Sequence, residues 1–158
     1  IEEGRSLLIA VNKWDLIKDK GKAVKELERR AKISLPQVKD IPYVPISALE
    51  KTNLDILIER SFTVYDVWNQ RVPTAKLNRW FEVIVQRHPP PLVQGRRLKL
   101  RYITQIKTRP PSFVCFCNQP DQVPESYKRY VVNELRKHFT LPGVPIRLLM
   151  KTSQNPFA

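Results

Sequence analysis

The run Ser6-Leu7-Leu8-Ile9-Ala10-Val11 constrains the fold most, because nothing after its serine is polar. A strand that alternates polar and apolar residues can face water on one side. One that is apolar throughout needs cover on both faces, as strands of parallel sheets have. The next segments fit that demand. Residues 20–35, KGKAVKELERRAKISL, place Val24, Leu27, Ala31 and Leu35 on one helical face. Residues 41–47, IPYVPIS, read as a second short strand whose two prolines point to an edge or an end. Residues 53–70 predict another helix, with Leu54, Leu57, Ile58, Phe62, Tyr65 and Trp68 near one stripe. Strand, helix, strand, helix is a parallel α/β unit, and two strands with two helices make only part of a doubly wound domain. Apolar helix faces left without their missing strands predict exposure and self-association.

A second domain begins at Arg71-Val-Pro-Thr74, where Pro73 is placed to open a helix. Residues 74–88 set Leu77, Trp80, Phe81 and Ile84 at helical spacing, and the prolines of HPPPLVQG (88–95) enforce an extended connector. Residues 98–108 alternate, with Leu98, Leu100, Tyr102, Thr104 and Ile106 on one side. Lys99, Arg101, Ile103, Gln105 and Lys107 take the other. RPPS turns the chain into a return strand over 112–118. A helix from about Pro124 to Phe139 carries the ridge Tyr127, Val131, Leu135 and Phe139, and Leu-Pro-Gly (141–143) ends it, with Gly143 in a left-handed or turn conformation. The last strand is 144–152. The order α-β-β-α-β predicts an open-faced sheet covered by helices on one side.

Charge separates the two halves. Residues 1–72 hold 13 of the 28 Lys and Arg and 11 of the 15 Asp and Glu; residues 73–158 hold the other 15 cations but only 4 carboxylates. That imbalance points to a polyanionic partner for the second half, against the plainer reading of a solvated basic surface. Cys115 and Cys117 fall on one strand face, badly placed to bond each other; they read as small buried side chains of a reducing compartment rather than half a metal site. No apolar stretch is long enough for a membrane span. IEEGRS is not a signal peptide, and since Met150 is the only methionine the expectation is a piece of a longer protein.

Directly behind the first strand stands Val-Asn-Lys-Trp-Asp (11–15). Ligands in α/β sheets sit beyond the carboxyl ends of strands. A guanine edge offers two donors, which a single carboxylate at Asp15 matches, whereas adenine would face it with a lone pair. Asn12 can serve N7 and tie neighbouring loops, and the stem of Lys13 can lie across the base. About 30 residues on, Pro-Ile-Ser-Ala-Leu (45–49) again follows a strand. There the Ala48 N–H is expected to meet guanine O6 while Ser47 braces Asp15. Two such loops on successive strands resemble the base-recognition half of a Ras-like P-loop GTPase. No G-x-x-x-x-G-K-[ST] occurs among the four glycines, nor an Asp-x-x-Gly, so these residues predict guanine contact without GTP hydrolysis.

RVPTAKLNRW, HPPP, KLRYITQIKTRPPSFVCFCN, SYKRY and GVPIRLLMKTSQNPF, together with NKWDL and ISAL, resemble the bacterial double-GTPase ribosome-assembly family Der/EngA along essentially the whole chain. The resemblance implies that residues 1–70 are the C-terminal portion of a second GTPase domain and 71–158 a KH-like domain. It implies a cytoplasmic parent that binds GTP or GDP with magnesium and acts late in large-subunit assembly, while this segment holds no nucleotide tightly and is inactive. Asn12, Lys13, Asp15, Ser47 and Ala48 carry over as guanine-binding residues. The turn Glu50-Lys51-Thr52-Asn53 departs from the glycine-containing turn usual in relatives.

The G-x-x-G loop with which a KH domain clamps single strands is absent from 71–158. What remains is charge: Lys99, Arg101 and Lys107 on one strand face, Arg147 and Lys151 on another, and Lys128, Arg129, Arg136 and Lys137 on the last helix. These are the candidate rRNA contacts, through phosphates and without sequence readout. The aromatics read as core. A second reading makes the module an intramolecular partner of a GTPase domain, and a third a free-standing basic RNA-binding or protein-interaction module. A P-loop encoded in frame before Ile1 would exclude the third.

Overall fold

The computed structural model describes residues 4–35, 38–93 and 95–152. They are a mixture of helices and short sheets, and they divide into two compact units. The described residues up to Asn69, together with Leu141–Pro145, form one; Gln70–Thr140 and the described residues from Ile146 form the other. Among the described residues no helix is long and apolar enough to cross a membrane.

In the first unit β1 (Ile9–Val11) pairs in parallel with β2 (Tyr43–Pro45), Ala10 opposite Val44. The crossover is α1 (Lys20–Ser34), started by Asp19, whose carboxylate accepts from the Lys22 N–H at 2.9 Å. The unit closes with α2 (Leu54–Asn69). Cover on both faces of the first strand does not materialise: among the described residues β1 has one neighbouring strand, and none of its residues is fully buried. The same holds for α1, and on α2 only Val64 is buried. The predicted α2 stripe is therefore turned outward in part, with Ile58, Phe62 and Tyr65 each more than half exposed. The small core gathers Val38, Val44, Ile46 and Val64 with Leu141 and Val144.

The segment Leu141–Pro145 thus completes the first unit's core from a distant part of the sequence. Leu7 N–H donates to the Gly143 carbonyl at 3.0 Å, and Gly143 N–H donates to the Lys39 carbonyl at 3.1 Å. A Cβ on Gly143 would lie 2.5 Å from Pro42 Cδ and 2.9 Å from the Leu7 oxygen. Gly143 is left-handed as expected (φ 66°), but the left-handed residue just past the preceding helix is Thr140 (φ 52°). The glycine is needed for close backbone approach rather than for stopping that helix.

In the second unit α3 (Thr74–Arg87) buries the predicted face Leu77, Trp80, Phe81 and Ile84. The connector that follows contains a small hairpin the prolines did not suggest, β3 (Leu92–Val93) against β4 (Arg96–Arg97), turning at Gly95. A three-stranded sheet has β6 (Ser112–Cys117) in its centre, antiparallel to β5 (Leu100–Lys107) and parallel to β7 (Arg147–Thr152). α4 (Glu125–His138) buries Tyr127, Val131 and Leu135, with Arg136, Lys137 and His138 in its last turn, where the helix dipole favours cations.

The alternation assigned to 98–108 needs correction. The register slips between Leu100 and Tyr102 and again between Gln105 and Lys107. A bulge adds a residue to one strand and swaps which face the following side chains take. Ile103 and Gln105, expected on the polar side, are buried, while Tyr102 and Ile106 are 42% and 54% exposed. Gln105 is satisfied there: its carbonyl oxygen accepts from Val72 N–H at 2.7 Å, and its amide donates to the carbonyls of Gln70 and Lys107. On the outer edge of β5, Asn78 from α3 donates to the Ile103 carbonyl at 3.0 Å and accepts from its N–H at 2.9 Å. That pair gives the edge strand the partners a further strand would supply.

Candidate nucleotide and nucleic-acid sites

Because β1 and β2 run in parallel, the loops after Val11 and Pro45 leave the same edge of their sheet. The two chains interlock there. Ile46 N–H donates to the Val11 carbonyl at 2.9 Å and Trp14 N–H to the Ile46 carbonyl at 3.0 Å. Asn12 Oδ1 is the hinge pin, accepting from its neighbour Lys13 N–H at 2.8 Å and from Ala48 N–H, 36 residues away, at 3.1 Å. Lys13 is left-handed (φ 61°, ψ 35°) and leads into a single 3-10 turn, Trp14–Leu16, that holds Asp15 out in solvent. The loop-tying role expected of Asn12 is visible, and all five predicted residues come to one edge.

Two details differ from expectation. Ser47 is buried and does not reach toward Asp15; its Oγ accepts from Glu50 N–H at 3.2 Å, and its backbone exchanges hydrogen bonds with Thr52. A short turn competes more effectively for a hydroxyl than a distant carboxylate does. The Ala48 N–H, expected to meet guanine O6, is held by Asn12. The departing turn Glu50–Asn53 is built without glycine: Lys51 and Asn53 adopt φ of 55° and 58°, and Asn53 Nδ2 fastens to the Pro45 carbonyl at 2.9 Å.

Lys13 and Asp15 present an alkyl stem and a carboxylate to solvent, which suits a purine base that carries two donors; among the described residues no phosphate cradle accompanies them. Among the described residues no group of three metal-ligating side chains gathers. A cavity of about 570 Å3 in this unit is lined by Ala31, Leu35, Val38, Ile41 and Tyr43 among others, and none of the five predicted guanine-binding residues contributes to it.

In the second unit the candidate cations do not form one group. Lys128 is partly covered and paired with Glu125 at 2.7 Å, Arg129 and Lys137 are exposed, and Arg136 is only 5% exposed. Arg136 is therefore buried rather than on the surface its helical position suggested. Lys99, Arg101 and Lys107, read as sharing a face, are separated by the two register shifts. Lys99 is held at the strand entrance, its N–H donating to Asn118 Oδ1, and Arg101 is the bulged residue. Lys107 pairs with Ser112, which pairs in turn with Arg147, so it joins Arg147 and Lys151.

Two features escaped sequence reasoning. Tyr102 and Phe116 stack across β5 and β6 on the face with Lys151, centroids 4.4 Å apart and planes at 16°. Only the register would have shown it. A cleft of about 360 Å3 between α3 and α4 is lined by Trp80, Ile84, Arg87, Glu134, Lys137 and His138, with the His138 ring stacked on Trp80. Nearby, Tyr127 and Tyr130 donate to the His88 and Ile84 carbonyls at 2.8 and 3.2 Å, capping the end of α3. Burial pushes the Tyr127 phenol up to about 12. It does the same to the Cys115 thiol, with Cys117 a lesser contributor, and raises the Cys117 thiol as well, which favours the protonated form of both buried side chains.

Residues 71–151 match the family profile described as KH-domain-like of EngA bacterial GTPase enzymes, C-terminal. Curated relatives named GTPase Der are similar along the whole chain. One from Rhodopseudomonas palustris (strain TIE-1) is 54% identical over 156 residues, 99% of this chain and 34% of its own length. One from Mesorhizobium japonicum is 52% identical over 158 residues, and one from Brucella suis 49% over 158. The chain spans about a third of the length of these relatives.

Proposed function

Because the chain belongs to the KH-domain-like family of EngA bacterial GTPase enzymes, we propose that it is the C-terminal third of a Der-type GTPase, in which the first unit reads guanine and the second contacts ribosomal RNA. In this reading residues 1–70 belong to a Ras-like P-loop domain whose phosphate site lies in other parts of the protein. The supporting observation is the interlock at the sheet edge, where Asn12 Oδ1 joins the N-K-x-D and S-A loops. The Asp15 carboxylate then accepts from the guanine N1–H and 2-amino group and Lys13 covers the base, while the Ala48 N–H stays with Asn12 and holds the two loops together. Bound GTP and magnesium would supply the phosphoryl chemistry; this chain's residues select and orient the base. The protein would act in the cytoplasm on the large ribosomal subunit, with the +13 net charge supplying phosphate attraction. The basic module would also meet a GTPase domain of the same protein.

Asp15→Asn in the full-length protein tests the base-reading role. An asparagine amide can donate to the 2-oxygen of xanthine but cannot accept both guanine donors. GDP affinity is expected to fall by at least about 100-fold, roughly 2.7 kcal/mol or more for a lost charge-assisted pair, while XDP binding rises. Unchanged GDP affinity would remove Asp15 from the site.

A further inference from the structure

We propose that the open face of the three-stranded sheet is a stacking platform for unpaired RNA bases. The proposal rests on the RNA-contacting reading of the second unit and gives that contact a place and a strand state.

The register defines the face. Residues directly opposite one another point to the same side of a sheet. One side carries Phe113, Cys115 and Cys117 with Ile103 and Gln105, all fully or nearly fully buried; this is the core side. The other side carries three rows: Tyr102, Phe116 and Lys151; then Thr104, Val114 and Leu149; then Lys107, Ser112 and Arg147. Val114 forms its closed centre at 2% exposure, while Tyr102 and Leu149 are 42% and 48% exposed.

Three properties of the face favour a single-stranded nucleic acid. Tyr102 and Phe116 already lie nearly parallel at 4.4 Å, presenting an aromatic surface in which Tyr102 is open to solvent. Base–aromatic stacking tolerates any sequence, because every base has a π-face. Cations stand at both ends, Lys151 beside the rings and Lys107 with Arg147 four residues along, roughly 13 Å away at strand rise. Finally, the four carboxylates of residues 73–158, Glu82, Asp121, Glu125 and Glu134, lie on helical segments, so no strand of the sheet carries one. A protein-docking face would gain from carboxylates that fix orientation; a polyanion site excludes them. Duplex RNA keeps its bases stacked inside and would leave the aromatic pair unused.

The test uses the intact 158-residue chain and labelled 12-nucleotide oligouridine, with a 12-base-pair RNA duplex for comparison, followed by anisotropy. Tyr102→Leu keeps apolar bulk and removes the ring; it is expected to weaken oligouridine binding at least about 5-fold and to leave duplex binding unchanged, and Tyr102→Phe should restore it. Photocrosslinking of 4-thiouridine RNA to the wild-type chain should label the tryptic peptide 102–107, a readout independent of any variant's folding. Equal loss on both RNAs, or crosslinks confined to α4 peptides, would overturn the platform. A control triple change, Lys128→Gln, Arg129→Gln and Lys137→Gln, separates the two readings. If it abolishes binding while Tyr102→Leu does nothing, RNA contact stands and the platform falls; if the wild-type chain binds neither RNA, both fall.

Discussion

Gly143 shows how much a single residue can be asked to do. It sits in the left-handed region and within a Cβ's reach of Pro42 and the Leu7 oxygen, while both its backbone groups are bonded. Alanine there meets two separate penalties. The left-handed conformation costs roughly 1–2 kcal/mol for a non-glycine residue, and the 2.5 Å approach to Pro42 forces the loop away. Gly143→Ala is expected to destabilise the first unit by about 2 kcal/mol or more. Hydrogen exchange checks it locally: the Leu7 amide, which donates to the Gly143 carbonyl, should exchange faster than in the parent chain. Protection unchanged at Leu7 would mean that the loop shifts without loss. Glycine at this position was legible as a turn in the sequence, but its neighbours were not, because residues 7, 42 and 143 meet only after folding.

At the scale of elements, helix faces were read correctly where both periodicity and a covering layer exist. Leu77, Trp80, Phe81 and Ile84 are buried because α3 has a sheet to cover; Ile58, Phe62 and Tyr65 have the same spacing and face water. Periodicity reports a face's chemistry and says nothing about what arrives to cover it. The strand at 100–107 failed for another reason, since a bulge is a one-residue event that no alternation pattern announces. The edge of that strand depends on Asn78. Asn78→Ala would leave the N–H and carbonyl of the fully buried Ile103 without that partner, a cost of about 1–3 kcal/mol. The urea midpoint of the second unit should fall accordingly, with little change in slope. A midpoint equal to the parent's would show that water satisfies the edge equally well.

The whole molecule combines two differently finished units. The second has both helices packed through large apolar side chains. The first keeps Leu16, Ile33, Leu49, Ile58, Phe62 and Tyr65 largely in solvent. Such surface binds whatever apolar material it meets. The isolated chain is therefore expected to enhance 8-anilinonaphthalene-1-sulfonate fluorescence and to self-associate with rising concentration, and Phe62→Lys with Tyr65→Lys should reduce both. Monodisperse behaviour at all concentrations with no dye response would contradict this. Sequence alone determined the two-part character, the helix positions, the N-K-x-D and S-A motifs behind successive strands and the basic bias of the second half. These follow from local spacing and composition, which need no knowledge of what lies across space. The tertiary structure decided which cations share a surface, that Arg136 is buried, that Leu141–Pro145 completes the first unit, and that Tyr102 stacks in the open on Phe116. Each of these depends on strand register or long-range pairing, and a shift of one residue in register exchanges the buried face of a strand for the exposed one.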